Sequence, residues 1–554
     1  MIYFSELIDV CILIKKSKKI EDKVNYLYNL FTDCSIKEIE IFYQIFINKK
    51  HNNKLINNNY FIKSIKSIYF LDNSDIKKYL IDNKTIESIY LYLVGSEREK
   101  LKKKYNQLTL IQFSFFINKF KNISGENSIL KKISYLRSFL LFIDQYESYY
   151  IIKILSNQFN IGIGDSFFYK FLSKKYNITI KNIENIFSKT NDILEILNIL
   201  NEKNTNIIEK YSIKLFNPIK FMLASIQPKN LEDIFLKSKK WVVEYKYDGI
   251  RIQIHKKNND IKIYSRNLDD ITLSIPDATR SIREYIHENN IILDAEAVAI
   301  NKNGIILPFQ DILKRSKRKY NINSIINDIN IKINIFDILY LNGESLIDIY
   351  LEKRRLILET CNIKKSKFIN VDPYFFVEDT LTINKIYSIA INSGYEGIMI
   401  KNPLSKYISG RLKNQWIKKK KYETLDLIVT GGILGVGKRE NKVGSFILSC
   451  WDSSYSYLIE ICKVGTGINN ENIEIFTKKF IHIKNNLSDK IILKNPNIIF
   501  EIGFDKITKN NKNNKYSLRF PRIINIRYDK SIIDADSIDK IIKIYNNQKS
   551  ILIE

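Results

Sequence analysis

Trp241-Val-Val-Glu244-Tyr-Lys246-Tyr-Asp248-Gly249-Ile-Arg251 is the stretch on which the reading of this chain turns. Its apolar, β-branched and aromatic start predicts a strand. Side chains on a strand alternate sides, so Glu244, Lys246 and Asp248 project together. Gly249 permits a tight turn that keeps them clustered. A lysine set among carboxylates and an arginine suits attack on a phosphorus atom, provided that something lowers its amine from the ordinary pKa of about 10.4 or neutralises the product. Nearby cations or a bound metal favour the neutral amine, and a metal also draws charge off phosphate oxygens. The competing reading is a surface lysine at a strand end, as most lysines are.

A chain of 554 residues exceeds what one core holds and predicts three or four units. Lys and Arg total 88 against 60 Asp and Glu, a net charge of +28 that favours a polyanionic partner, nucleic acid or an anionic membrane surface. No apolar run approaches the roughly 18 residues that cross a bilayer, and the start lacks a basic segment followed by an apolar cleavable one. An intracellular protein without a membrane span is therefore expected. Cys11, Cys34, Cys361, Cys450 and Cys462 form no CxxC pair, which excludes a zinc ribbon and a disulfide framework. Four histidines argue against a His-rich metal site. Ile, Asn and Lys dominate patches such as His51–Asn59 and Lys506–Lys515, a compositional bias that dilutes the charge argument.

Residues 1 to about 210 lack proline and show apolar spacings of three and four, as in Ile36–Phe46 and Leu130–Leu155, which predicts an all-helical domain. From about Pro218 short strands such as Ile261–Tyr264 and Ile331–Phe336 alternate with turns and a few helices, an α+β domain. After the basic run Lys418–Lys421, strands at Leu425–Val429, Ser445–Ser449, Tyr457–Ile461 and Ile498–Glu501 with glycine turns between them predict an all-β domain of small-barrel type.

Other segments carry candidate chemistry, each with a plainer alternative. Arg266, in Ser265-Arg-Asn267, offers a guanidinium fork for phosphate or ribose, or is an ordinary surface arginine. Asp294 and Glu296 share one face of a strand and could hold a divalent cation, or form a solvated face. Phe336 could stack on a base or belong to the core. Glu396 and Lys401 bracket Gly397-Ile-Met-Ile, where the alternative is a simple turn. Arg411 precedes Trp416-Ile-Lys418-Lys-Lys420, in which Lys418 and Lys420 project together toward a possible triphosphate, or form a basic linker. Ser517-Leu-Arg-Phe-Pro-Arg522 and Arg527-Tyr-Asp529-Lys530 add phosphate-binding chemistry near the end. Gly432–Lys438 imitates a P-loop, but Arg439 stands where Ser or Thr would hold magnesium, so a hairpin is expected.

In order and chemistry, Lys246-Tyr-Asp-Gly-Ile-Arg251, Ser265-Arg-Asn, Asp294-Ala-Glu296, Phe336-Asp, Glu396–Lys401, Trp416–Lys420 and Arg527–Lys530 resemble the nucleotidyltransferase motifs of ATP-dependent DNA ligases along more than half the chain. Phe336–Ser345 and Ser517–Arg522 resemble the eukaryotic and viral ligase I-like branch. The resemblance implies a helical DNA-binding domain over 1–212, an α+β adenylation domain over 213–423 and an OB-fold domain over 424–554. It implies ATP and Mg2+ as cofactors, and nicked double-stranded DNA as the partner of a monomer acting in replication, repair and recombination.

By the same resemblance Lys246 attacks the α-phosphorus of ATP, Glu244 meets the adenine edge and Phe336 its face, and Arg251 and Arg266 lie near ribose and phosphate. Glu296 and Glu396 hold magnesium. Lys401, Lys418 and Lys420 serve the phosphates, with Arg411 as a further nucleotide contact. Arg527, Asp529 and Lys530 face ATP in the first step, before the OB domain turns about a hinge near Lys421–Thr424. The chain departs from the pattern at Asn160, where arginine is common beside Ile161-Gly-Ile-Gly164, at Gln415, where asparagine usually precedes the tryptophan, and by one extra residue between Arg411 and Trp416.

Two other readings stay open here: an mRNA-capping guanylyltransferase or RNA ligase, which share Lys-x-Asp-Gly, and a catalytically inactive nucleic-acid-binding scaffold. The expected compartment is the nucleus for a cellular eukaryotic source, and cytoplasm or virus factory for a viral one.

Overall fold

The proline-free first part is helical because its apolar residues recur on one face. In Phe4–Lys16 the buried positions are Phe4, Leu7, Ile8, Cys11 and Ile14, spaced by three and four. In the computed structural model this helix belongs to a unit spanning Met1–Phe221, and a second unit spans Met222–Glu554. The structure describes all residues except 49–61, 63–65, 67–69, 73, 77, 79–84, 101–106, 203–210, 228–230, 237, 317–328, 413, 421–422, 436–438, 440–441, 482–489, 494–495, 511–513 and 551–554.

The described part of the first unit is built from helices around two apolar cores. The periodic run Leu130–Leu155 is two helices, Ser128–Leu140 and Gln145–Leu155. Asp144 separates them by capping the second, accepting from the Glu147 N–H at 2.7 Å. The Ile36–Phe46 run begins as an α-helix over Ile36–Phe42 and loosens into a π-turn at Tyr43–Ile47. Asn160 accepts from the Gly162 N–H at 2.9 Å, so in this chain it shapes its own turn.

The second unit opens with two sheets. One orders Asp260–Ser265, Ile250–Lys257, Asn290–Ile300, Asn330–Leu341 and Glu344–Ser345, with Ile369–Val371 running parallel beside Asn330–Leu341. The other orders Tyr374–Val377, Trp241–Lys246, Gly397–Lys401, Trp416–Lys420 and Ser225–Ile226. The Asn342-Gly343 turn has both residues at positive φ, as a two-residue hairpin requires.

The remaining residues form a sheet of Leu458–Val464, Val443–Trp451, Glu423–Leu434, Ile499–Phe504 and Arg522–Ile526, with Lys490–Ile492 paired to Glu423–Leu434. Leu427, Leu448, Ile461 and Phe500 from four of these strands meet in one core. Two helices that the strand spacing did not foretell, Asn470–Ile481 and Ile538–Ser550, contribute Phe476 and Ile541 to it. The P-loop imitation begins where Glu423–Leu434 pairs antiparallel with Val443–Trp451. Residues 436–438 of it lie outside the described residues, and Arg439 donates to the carbonyls of Gly444 and Gly465.

Candidate active site

Trp241–Lys246 sits inside its sheet, paired on one side with Tyr374–Val377 and on the other with Gly397–Lys401. Lys246 is opposite Gly397, and Glu244 opposite Met399. After the strand the chain crosses to the second sheet, where Arg251 lies opposite Glu296. Gly249 is required there for closeness: a Cβ would stand 2.4 Å from the Ala297 carbonyl and 3.0 Å from Glu296 Cγ. The two sheets thereby flank a cleft of about 590 Å³. Glu244, Lys246, Arg251, Arg266, Glu296, Phe336, Lys401 and Lys418 all line it.

Lys246 is about one-fifth exposed and donates to Glu396. Burial alone would lower its pKa, but Glu396, Glu296 and Asp248 together raise it above the ordinary lysine value. Groups that lower it are what the sequence leads one to expect. The protein's own residues do the opposite, because carboxylates outnumber cations around the amine. Burial pushes Glu296 up to about 7, against the pull of Lys246 and Arg251. Glu396 is held below the usual carboxylate range despite burial, by Lys246 and then Lys420.

Glu244 and Lys401 are both buried and paired with each other. The Lys401 ammonium lies 4.4 Å from the Phe336 ring centre and 4.3 Å from that of Trp416. Lys418 is lowered by burial and then by Lys420 and Lys246. Lys420 lies outside the cleft lining, 3.3 Å from Glu396 and 2.5 Å from Asp505 of the β domain. Lys506, the next residue, meets Asp248 at 2.7 Å.

Some expected residues are arranged differently. Asp294 takes two guanidinium N–H groups of Arg251 and the Tyr407 hydroxyl, at 2.6 to 2.9 Å, so of the two strand carboxylates only Glu296 faces the cleft. Arg251 lines the cleft while bound by Asp294 and by the Met222 carbonyl. Arg527 and Lys530 do not join Lys246: in the β domain both reach Asp426, at 3.3 and 2.6 Å, and Arg527 also pairs with Asp529. Arg411 pairs by backbone with Leu223, and its side chain lies outside the described residues. Half of the expected hinge, residues 421–422, also lies outside them.

The sequence reading missed Arg354, Arg355, Asp372 and Tyr407, all buried. Arg354 forks onto Asp337 at 2.8 and 2.9 Å, which makes the aspartate after Phe336 a structural anchor. Consecutive arginines on a helix gave no signal of burial.

No group of three or more His, Cys, Asp or Glu suited to a metal occurs among the described residues. Glu296 and Glu396 nevertheless fit magnesium, which typically takes one or two carboxylates and completes its shell with water and substrate phosphate. The carboxylates Glu396, Glu296 and Asp248, which together raise Lys246, are negative charge that a cation would offset.

A lysine on a central strand, carboxylates beside it and cations around the same cleft define a nucleotidyltransferase domain, followed here by a β domain. Three family models match: "DNA ligase N terminus" over residues 3–173, "ATP dependent DNA ligase domain" over 221–420 and "ATP dependent DNA ligase C terminal region" over 439–530. The chain is 36% identical over 468 residues to a DNA ligase of Methanococcoides burtonii, covering 82% of each. It is 31% identical over 481 residues to a DNA ligase of Archaeoglobus fulgidus, covering 86% of each. Among solved structures, Pmar-Lig_PreS3 shares the fold with a TM-score of 0.54 at 17% identity, over 95% of this chain and 99% of that one.

The chain belongs to the ATP-dependent DNA ligases. It has that family's architecture of helical, nucleotidyltransferase and OB-fold domains, and uses ATP and a divalent metal to join nicked DNA. These two relatives are archaeal, and neither points to a eukaryotic nucleus or a virus factory. Among the described residues no helix is long and apolar enough to cross a membrane.

Proposed function

We propose that Lys246 is the nucleophile that takes AMP from ATP. The observation that carries this reading is its half-buried amine, paired with Glu396 and within the field of Glu296, in a cleft otherwise lined by Arg251, Arg266, Lys401 and Lys418. The resting amine is protonated and must release its proton before it attacks. Its Nζ then bonds to the α-phosphorus as the bond to pyrophosphate breaks. Lys401, Lys418 and Lys420 offset phosphate charge, and Arg251 and Arg266 orient ribose and phosphate. Phe336 stacks on the base while Glu244 meets its edge through Oε1, the oxygen not paired with Lys401. Glu296 and Glu396 would hold the divalent cation, which supplies charge neutralisation at the phosphate oxygens.

AMP then passes to the 5′-phosphate of a nick, and the 3′-hydroxyl displaces it to close the backbone. Arg527, Asp529 and Lys530 reach the triphosphate only if the OB domain turns, so this trio belongs to a further conformation, and Arg411 is a further nucleotide contact. The working domain limits are 1–212, 213–423 and 424–554, and the protein acts as a monomer. Archaeal relatives favour a cytoplasmic setting. Lys246→Ala tests the reading: it should form no adduct with labelled ATP yet bind nicked duplex within about threefold of wild type. Adduct retained by the variant would overturn it.

A further inference from the structure

Asp372 is 3% exposed and lines the cleft, yet takes no part in the chemistry given to Lys246 and its neighbours. Its N–H donates to the Ile335 carbonyl at 2.8 Å, which sets it alongside Phe336. The fully buried Arg355 ties the surroundings together. Its guanidinium donates to the Phe336 carbonyl at 2.8 Å and to the Asp372 carbonyl, and lies 3.8 Å from Glu244 Oε1. Glu244, Phe336 and Asp372 thus share one buried guanidinium, and all three line the same cleft. The Tyr247 hydroxyl hydrogen-bonds to the Asp372 carboxylate. Asp372 Oδ1 and Glu244 Oε1 have no hydrogen-bond partner among the described residues.

We propose that Asp372 is a second base-reading residue beside Glu244, and that the pair selects a purine with an amine at position 6 over one with oxygen there. The inference rests on Phe336 being the stacking face. A base lying on that ring presents its edge to two desolvated acceptors. An exocyclic amine donates to them, whereas a carbonyl oxygen faces like partial charge and leaves both unsatisfied, the arrangement that gives strong rejection of an analogue.

The test compares ATP with ITP, which carries oxygen in place of the 6-amine and a hydrogen on N1, and with purine riboside triphosphate, which lacks the amine but keeps N1 bare, using the full chain and magnesium and reading kcat/KM for lysine adduct formation. Wild type should prefer ATP. Asp372→Asn supplies an N–H donor and should shrink that preference by about tenfold or more, through KM and with kcat for ATP within about threefold. An unchanged preference, or an equal loss for all three nucleotides, would overturn the proposal. If melting shows that Asp372→Asn does not fold, Asp372→Ser is read in the same way. Absence of adduct in wild type with any of the three nucleotides would remove the reading of Lys246 itself, and this proposal with it. A normal adduct with an unmoved preference sinks Asp372 alone.

Discussion

Gly397→Ala should separate binding from chemistry at the Lys246 site. A Cβ at Gly397 would lie 2.2 Å from the Lys419 carbonyl oxygen and 2.8 Å from Lys420 Cα, against a floor of 3.0 Å for real contacts. Both neighbours are backbone, so the strands must part by at least 3.0 − 2.2 = 0.8 Å. Glu396 is the adjacent residue and pairs with Lys246 and Lys420, so the shift is delivered to the reacting amine's partner. A misplacement of about 1 Å slows an oriented reaction about 100-fold, and overpacking destabilises by about 1–3 kcal/mol. The assay is rapid-quench adduct formation at saturating ATP, beside a urea unfolding curve. Gly394→Ala is the control: at φ +80° it is strained but has nothing within 4 Å, so it should lose about 1–2 kcal/mol of stability and keep its rate within about threefold. A Gly397→Ala enzyme of near wild-type rate would refute the reasoning that Glu396 must sit where this close strand contact holds it.

Other outcomes follow from burial and charge. Glu147 is 2% exposed with one oxygen unpartnered, and burial, then Asp144, raise it from 4.5 to about 7. A carboxyl raised by folding contributes stability that is fully present below about pH 4.5 and lost as pH climbs through about 7. At about 1.4 kcal/mol per pH unit the loss is about 3 kcal/mol, so Glu147→Gln should stabilise the protein by up to about that much at pH 8 and little at pH 4, read by thermal melting. Arg354→Ala leaves Asp337 buried and unpaired, and should lower unfolding free energy in urea by about 3–5 kcal/mol. Lys506→Ala breaks a pair whose side chains are 34% and 39% exposed, and should change stability by no more than about 1 kcal/mol.

Much of the site was legible because its chemistry is local. The alternation of Glu244 and Lys246 on one strand, and the placing of Glu296 and Phe336 on two others, follow from period-two geometry. Pairings made by topology were not legible. Nothing near Asp294 in sequence announces that Arg251 and Tyr407, 43 and 113 residues away, will occupy it. Charge balance was also hidden: the resting direction of the Lys246 pKa depends on Glu396, 150 residues on, more than on any neighbour. The helix break at Asp144 is not marked by apolar spacing, which continues across it, although the capping aspartate itself stands in the sequence.

The most direct test of the central claim is to adenylylate the intact protein with ATP and magnesium, digest it, and locate the nucleotide by mass spectrometry. The account predicts AMP on the peptide carrying Lys246, through a bond that is acid-labile as a phosphoramidate is, and its transfer to the 5′-phosphate of nicked DNA on chase. AMP on another residue, or a Lys246 adduct that nicked DNA does not discharge, would contradict it.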